Sequence, residues 1–277
     1  MKKIIDAHHH LWQYNNREFG WIDESMSVLR NNFSMEDFRK ETAFASEVKS
    51  IVVQARQSLE ETEWLLSLSE SDNTIAGVVG WVPLRSPVIR DHLDRMKNRG
   101  GLTGVRHVIQ DEPDRDFMLR NDFNNGVSAL KDFNLTYDIL VKEKQLPETV
   151  AFVKKHGNQP FVIDHIAKPD IKNRSFDYWA RYMGELASFP NVSCKLSGLV
   201  TEADWTKWSP EDLKPYIERM LELFSPRRLM FGSDWPVCLV AGGYEKWFKT
   251  LDSFLSELSE SEREGIYSGN AAEFYGV

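Results

Sequence analysis

Eight short runs rich in β-branched residues, set apart by helix-like segments, constrain this chain more than any other feature. The runs are residues 3–7 (KIIDA), 50–54 (SIVVQ), 75–82 (IAGVVGWV), 104–108 (GVRHV), 136–141 (TYDILV), 161–165 (FVIDH), 192–196 (VSCKL) and 229–232 (LMFG). Their length and near-continuous apolar character suit strands buried on both faces of a parallel sheet. Helical patterns fall between them, at 35–45, 59–71, 86–101, 122–134, 147–157, 176–189, 209–224 and 242–258, and the last segment looks like one more closing helix. Several carry end signals. Ser34 can cap the first, Ser58 stands three residues before Glu61 as in a capping box, and the third opens Ser86-Pro87 and closes Gly100-Gly101. Eight β-then-α units in 277 residues predict an α/β fold, a (β/α)8 TIM barrel, with residues 1–277 as one domain. An open doubly wound sheet is the competing reading. It would place a glycine-rich turn after the first strand, where this chain has HHHLWQ.

The charge narrows the partners. A net charge of −8 with no clustered basic run excludes a nucleic-acid binder, which needs a concentrated cationic surface. No apolar stretch approaches the roughly 20 residues of a membrane span. The opening MKKIIDAHHH also lacks the apolar core, about 7–15 residues long, of a secretory leader. Cys194 and Cys238 are too few for a disulfide scaffold or a zinc knuckle. The expectation is a cytoplasmic chain with a small-molecule partner, no nucleic acid and no membrane; a homo-oligomer stays open.

Barrel enzymes do their chemistry at the C-terminal ends of the strands. Polar residues gather there: His8, His9 and His10 on strand 1, Arg106 and His107 on strand 4, Asp138 on strand 5, His165 on strand 6, Lys195 on strand 7 and Asp234 after strand 8. Successive strand side chains face opposite ways. His8 and His10 therefore share a face, and His9 packs between barrel and helices. With His165 and Asp234 they offer three nitrogens and an oxygen, a donor set suited to zinc or a similar divalent ion. A hydrogen-bonded His8–His10 pair without metal is the alternative. His92 and His156 fall on helices and are expected at the surface.

The segments IDAHHHLW, QARQSLEETEWLL, GWVPL, GVRHVIQDEPD, FVIDHIAKP, NVSCKLSGLVTEADW and LMFGSDWPV occur in this order from residue 4 to about 240. In them the chain resembles the amidohydrolase-superfamily branch of sugar lactonases and pyrone-dicarboxylate lactonases, with the L-fuconolactone and L-rhamnonolactone hydrolases most similar. The resemblance implies hydrolysis of a sugar-acid lactone to the free aldonic acid. His8, His10, His165 and Asp234 would surround the reacting centre, with Asp234 taking the proton of the attacking water. No lysine is placed to bridge two metals, so at most one divalent ion, zinc, is expected, and metal-independent catalysis stays open. A metal-dependent decarboxylase of an unsaturated acid and a non-catalytic sugar-acid-binding barrel are the alternatives.

Further roles follow from side-chain chemistry. Asp234 and His165 are the candidate catalytic pair; Asp234 could instead cap the turn at Trp235-Pro236. Arg106 is expected to grip substrate oxygens with its planar fork, or to bridge to Asp138 or Glu112. His107, its neighbour, faces the other way, so only one of the two can point into the pocket. Lys195 is a substrate-binding candidate or a partner of Asp164 or Asp138. Trp12, Trp81 and Trp235 could stack on a sugar ring or pack the core. Cys238 is expected to be a packed thiol.

Overall fold

Each strand pairs in parallel with its sequence neighbour, because each connection carries the chain back along the outside as a helix. In the computed structural model, which describes residues 3–277, the strands are β1 (Lys3–His9), β2 (Glu47–Val53), β3 (Ile75–Gly80), β4 (Leu102–His107), β5 (Thr136–Ile139), β6 (Phe161–Ile163), β7 (Val192–Leu196) and β8 (Leu229–Phe231). They form one sheet in the order β1 to β8. Met1 and Lys2, part of the stretch read above for a leader, lie outside the described residues. The (β/α)8 expectation holds. Closure comes from the segment beyond β8: Asp234 N–H donates to His8 C=O at 2.8 Å and His10 N–H to Trp235 C=O at 2.7 Å.

The outer helices are α1 (Met35–Glu41), α2 (Leu59–Ser71), α3 (Ile89–Lys97), α4 (Asn121–Leu130), α5 (Leu146–Lys155), α6 (Asp177–Ala187), α7 (Pro210–Phe224) and α8 (Tyr244–Phe254). Ser34 and Ser58 cap α1 and α2 as expected. The third helix begins three residues late, because Ser86–Val88 are spent on turns before Ile89. Residues of one parity, such as Val52, Val105, Ile139 and Leu196, pack in the large core beneath the helices. Those of the other parity, Ile51, Val53, Val79, Val162 and Met230, fill the barrel. After α9 (Glu260–Glu264) and a π-turn at Gly265–Gly269, α10 (Asn270–Tyr275) inserts Ala271 and Tyr275 into that inner cluster.

β1 carries a bulge. Asp6 pairs with Ser50 but His9 with Val52, so three steps on β1 match two on β2. Ile5 and Ala7 belong to the inner cluster, and unbroken alternation from them would turn His9 inward. The extra residue resets the parity. His9 instead stacks on Phe38 of α1, ring centroids 4.1 Å apart, while the imidazoles of His8 and His10 converge inside.

Candidate active site

His8 and His10 meet at the barrel mouth with their Nε2 atoms 3.2 Å apart. Each ring is fixed through its other nitrogen. His8 Nδ1 lies 3.2 Å from Asp164 Oδ1, His10 Nδ1 2.8 Å from the Val53 carbonyl, and His165 Nδ1 2.9 Å from Ser197 Oγ. A carbonyl or an ionised carboxylate only accepts, so in the neutral rings His8 and His10 carry their proton on Nδ1. Two Nε2 lone pairs then face each other, and that of His8 also lies 3.2 Å from Arg106 Nη1, which can donate to it. Asp234 Oδ1 completes the group, 3.4 Å from His10 Nε2, 3.9 Å from His8 Nε2 and 3.8 Å from His165 Nε2. Tetrahedral zinc with bonds of about 2.0–2.1 Å requires ligand atoms about 3.4 Å apart. His8, His10 and Asp234 therefore fit one divalent ion, with His165 beside Asp234 but outside that set. His8 with Asp164 and His165 makes a second, overlapping cluster. Its carboxylate is already committed to Lys195 and Arg106, so the set with Asp234 is the better cation site.

Beneath the imidazoles lies a buried charge network. Asp164 receives Arg106 at 3.0 Å and Lys195 at 3.0 Å, and Lys195 also bonds Asp138 at 2.5 Å. Tyr275 O–H donates to the same Asp138 oxygen at 2.8 Å. Two carboxylates and two cations balance, which is what makes full burial of all four tolerable. Burial pushes Asp138 up to about 6 against the pull of Lys195. Burial acts the same way on Asp164, but Lys195, His8 and Arg106 together outweigh it and hold this carboxyl well below the usual range.

The histidines move the other way. Burial lowers His8 and His10, and takes His165 to about 4, so all three are neutral near pH 7. Burial alone would raise Asp234; the neighbouring His165, its contact with His10 and the Lys168 charge outweigh burial, and the carboxyl stays ionised. Neutral imidazoles around an ionised carboxylate are the protonation states a divalent cation requires.

Above this centre opens a cleft of about 400 Å³. Apolar and aromatic side chains, among them Trp12, Trp21, Met26, Leu140, Trp205 and Val237, line part of it, and a polar wall comes from Gln110, Asp111, Lys142, Lys168, Thr201 and Glu202. Its floor holds His10, Arg106, His165 and Asp234. Of the predicted site residues, the structure thus brings together His8, His10, His165, Asp234, Arg106 and Trp12. Others it places elsewhere. His107 points outward from β4, stacked on Phe117 and bonded to Glu112 at 2.7 Å. Trp81 donates its indole N–H to His107 at 3.2 Å and is not part of the cleft. Trp235 is buried against Phe33 and Phe38. Lys195 sits under His8, locked between Asp138 and Asp164, so it acts on the site from below. His156 is not a surface residue: it is buried at the end of α5 and bonds Asn124 at 2.8 Å.

Sequence reading missed Asp164 as the hub, and it missed Lys168 and Glu202. Asp164 was hidden in the dipeptide Asp164-His165, read as the end of strand 6. β6 in fact stops at Ile163, and the next turn is left-handed: His165, Ile166, Ala167 and Lys168 all have positive φ, between 47° and 61°. That turn breaks the alternation, so both Asp164 and His165 reach inward. Gly198, with φ of 66°, lies against the His165 ring, where any Cβ would collide with it.

Residues 5–277 match the amidohydrolase family. Among curated proteins the chain is 38% identical to an L-fucono-1,5-lactonase of Burkholderia multivorans, over 99% of this chain and 96% of that one. It is 32% identical to an L-fucono-1,5-lactonase of Burkholderia ambifaria, over 99% and 95%. A crystal structure of a Burkholderia multivorans amidohydrolase with bound zinc superposes with a TM-score of 0.96, at 38% identity over 99% of both chains.

Proposed function

The chain belongs to the amidohydrolase family, and on that premise we propose that it hydrolyses the lactone of a sugar acid, of the L-fucono-1,5-lactone type, at the centre formed by His8, His10, His165 and Asp234. The observation that carries this reading is Asp234. It is ionised, set at the closure of the barrel and held within 4 Å of three neutral imidazoles at the floor of a cleft of ligand size.

His8, His10 and Asp234 would hold one divalent ion, with His165 beside them, zinc being the ion bound in the similar crystal structure. When bound, such an ion polarises the ester carbonyl and lowers the pKa of water. The rest of the chemistry belongs to the chain. Asp234 accepts a proton from the attacking water, and the water oxygen bonds to the lactone carbonyl carbon. The ring C–O bond then breaks, and Asp234 returns the proton to the departing alkoxide oxygen. The product is one open-chain hydroxy acid, so no co-reactant other than water is consumed. Arg106, its charge anchored by Asp164, places positive potential at the floor where the oxyanion develops. The aromatic wall of Trp12 and Trp21 suits the C–H face of a sugar ring.

No helix among the described residues is long and apolar enough to cross a membrane, and the cytoplasm is the compartment proposed for this reaction. The test is acid release from a panel of aldonolactones by the purified protein, with zinc content measured on the same sample. L-Fucono-1,5-lactone should be turned over, and Asp234→Asn should lose activity by about a hundredfold or more. Carbon dioxide release from an unsaturated acid, or sugar-acid binding without turnover of any lactone, would overturn the reading.

A further inference from the structure

The turn after β6 is unusual backbone. Four consecutive residues other than glycine, His165 to Lys168, lie in the left-handed region. Each is disfavoured relative to right-handed backbone, and such strain persists only where the surroundings over-determine it. Here they do. The Trp179 indole N–H donates to Ile166 C=O at 2.6 Å, Lys168 N–H to His165 C=O at 2.8 Å, and Ser197 Oγ meets His165 Nδ1 at 2.9 Å. The turn brings two side chains to the cleft, His165 at the floor and Lys168 on the polar wall. The first serves the reacting centre. The second touches no reacting atom; its charge only helps to keep Asp234 ionised.

Lys168 faces Glu202, Nζ to Oε1 3.8 Å, from the loop after β7. That separation is too long for a hydrogen bond, so the ammonium and the carboxylate both keep capacity for a ligand. Both are largely withdrawn from solvent, their side chains 19% and 25% exposed. The same polar lining repeats the pattern: Lys142 Nζ stands 3.7 Å from Asp111 Oδ1. Every lysine or arginine lining the cleft is thus matched by a carboxylate, Arg106 by Asp164. A wall of matched charges offers donors and acceptors side by side with little net charge. That is the complement of a neutral polyol rather than of a substrate bearing its own carboxylates.

We propose that Lys168 and Glu202 form a hydroxyl-reading subsite, in which the ammonium donates to, and the carboxylate accepts from, adjacent ring hydroxyls of a neutral polyhydroxylated lactone. The subsite sets specificity and takes no part in bond making. It rests on the lactonase reading above and adds to it which part of the substrate is recognised, and by which residues.

The experiment compares two cyclic esters of the same ring size on the full-length protein: L-fucono-1,5-lactone, and δ-valerolactone, which has the ester but no hydroxyls. The second is read as turnover or as competitive inhibition of the first. Lys168→Met and Glu202→Gln should each lose about 10- to 100-fold in kcat/KM on the sugar lactone, mostly through KM, as for a lost charged hydrogen bond. The loss on δ-valerolactone should be at least tenfold smaller. Lys168→Arg, which keeps a donor, should recover part of the sugar-lactone activity, and thermal melting of all three should confirm folding. Equal losses on both esters, or no loss on either, would overturn the subsite while leaving the lactonase assignment standing. If the unaltered protein turned over no sugar lactone, the assignment itself would fall.

Discussion

Asp164 grips His8: the carboxylate Oδ1 stands 3.2 Å from the imidazole Nδ1, while its two oxygens also receive Lys195 and Arg106 at 3.0 Å each. One buried carboxylate therefore fixes the tautomer of a proposed metal ligand and balances two buried cations. Removing its charge without changing its shape separates these duties from packing. In Asp164→Asn, His8 loses its charged anchor and the two cations lose half their compensation. Zinc affinity should fall about 10- to 100-fold, the usual effect of altering the partner of a ligating histidine. Competition with a chromogenic chelator measures it, and unchanged affinity would show that His8 is oriented by packing alone.

His9 provides the counterpart. Its ring is fully buried on Phe38, and among the described residues neither nitrogen has a hydrogen-bond partner. It is expected to be dispensable for chemistry and costly to truncate. His9→Ala should lose about 2–4 kcal/mol of stability, a drop of several degrees in Tm, with activity per folded molecule within about threefold. His9→Phe keeps the stack and removes two unsatisfied polar atoms, so it should match or exceed the natural protein in stability. His8→Ala and His10→Ala should instead abolish turnover. A dead, well-folded His9→Phe enzyme would show that the outward ring contributes to the site.

The same residue makes a pH prediction with a definite sign. Burial, followed by the nearby His10, lowers His9 to about 3 from the ordinary 6.5. Between those values the unfolded chain binds this proton and the folded chain does not. His9 therefore contributes stability that is complete above pH 6.5 and is lost as the pH falls toward 3, by at most about 1.4 kcal/mol per pH unit. Asp6 and Asp138, both raised to about 6 by burial, act in the opposite sense, their contribution fading as the pH rises from about 4 to 6. The difference between the natural protein and His9→Phe isolates the histidine. With metal removed by chelator, the stability of His9→Phe should decline less steeply from pH 6.5 to 4; parallel curves would refute a buried neutral His9.

How far the sequence could be read follows from these contacts. The barrel was legible because eight apolar runs and their helix caps are local signals. The His8–His10 pairing was legible because side chains two apart share a face. That the pair faces inward was not, since it depends on a bulge at Ala7–His8 that only pairing with β2 reveals. Arg106 and His107 were read as mutually exclusive, and the choice fell to Arg106 because β4 directs Gly104 and Arg106 inward. Trp81 and Trp235 had the composition of a sugar platform, yet Trp81 is half-buried outside the cleft and bonded to His107, and Trp235 is packed in the core. Lys168 and Glu202 sit on loops whose meeting depends on a left-handed turn, for which a run of residues other than glycine gives no sequence signal.

The floor of the barrel can be tested independently of catalysis. Lys195 lies wholly inside, between Asp138 at 2.5 Å and Asp164 at 3.0 Å, with the Tyr275 ring 5.5 Å from its ammonium. Removing that ammonium leaves two carboxylates buried with a single cation, Arg106, near them. Lys195→Met should lose about 3–5 kcal/mol, measured by denaturant titration, because stranding a buried partner costs more than the pair contributed. The companion change Asp138→Asn in the same chain should recover part of the loss, since one carboxylate then remains for Arg106. Tyr275→Phe should cost less, about 1.5–3 kcal/mol for one hydrogen bond to a charged group. If the double variant were as unstable as the sum of its parts, Lys195 would be held by shape and not by its charge pairing with Asp138.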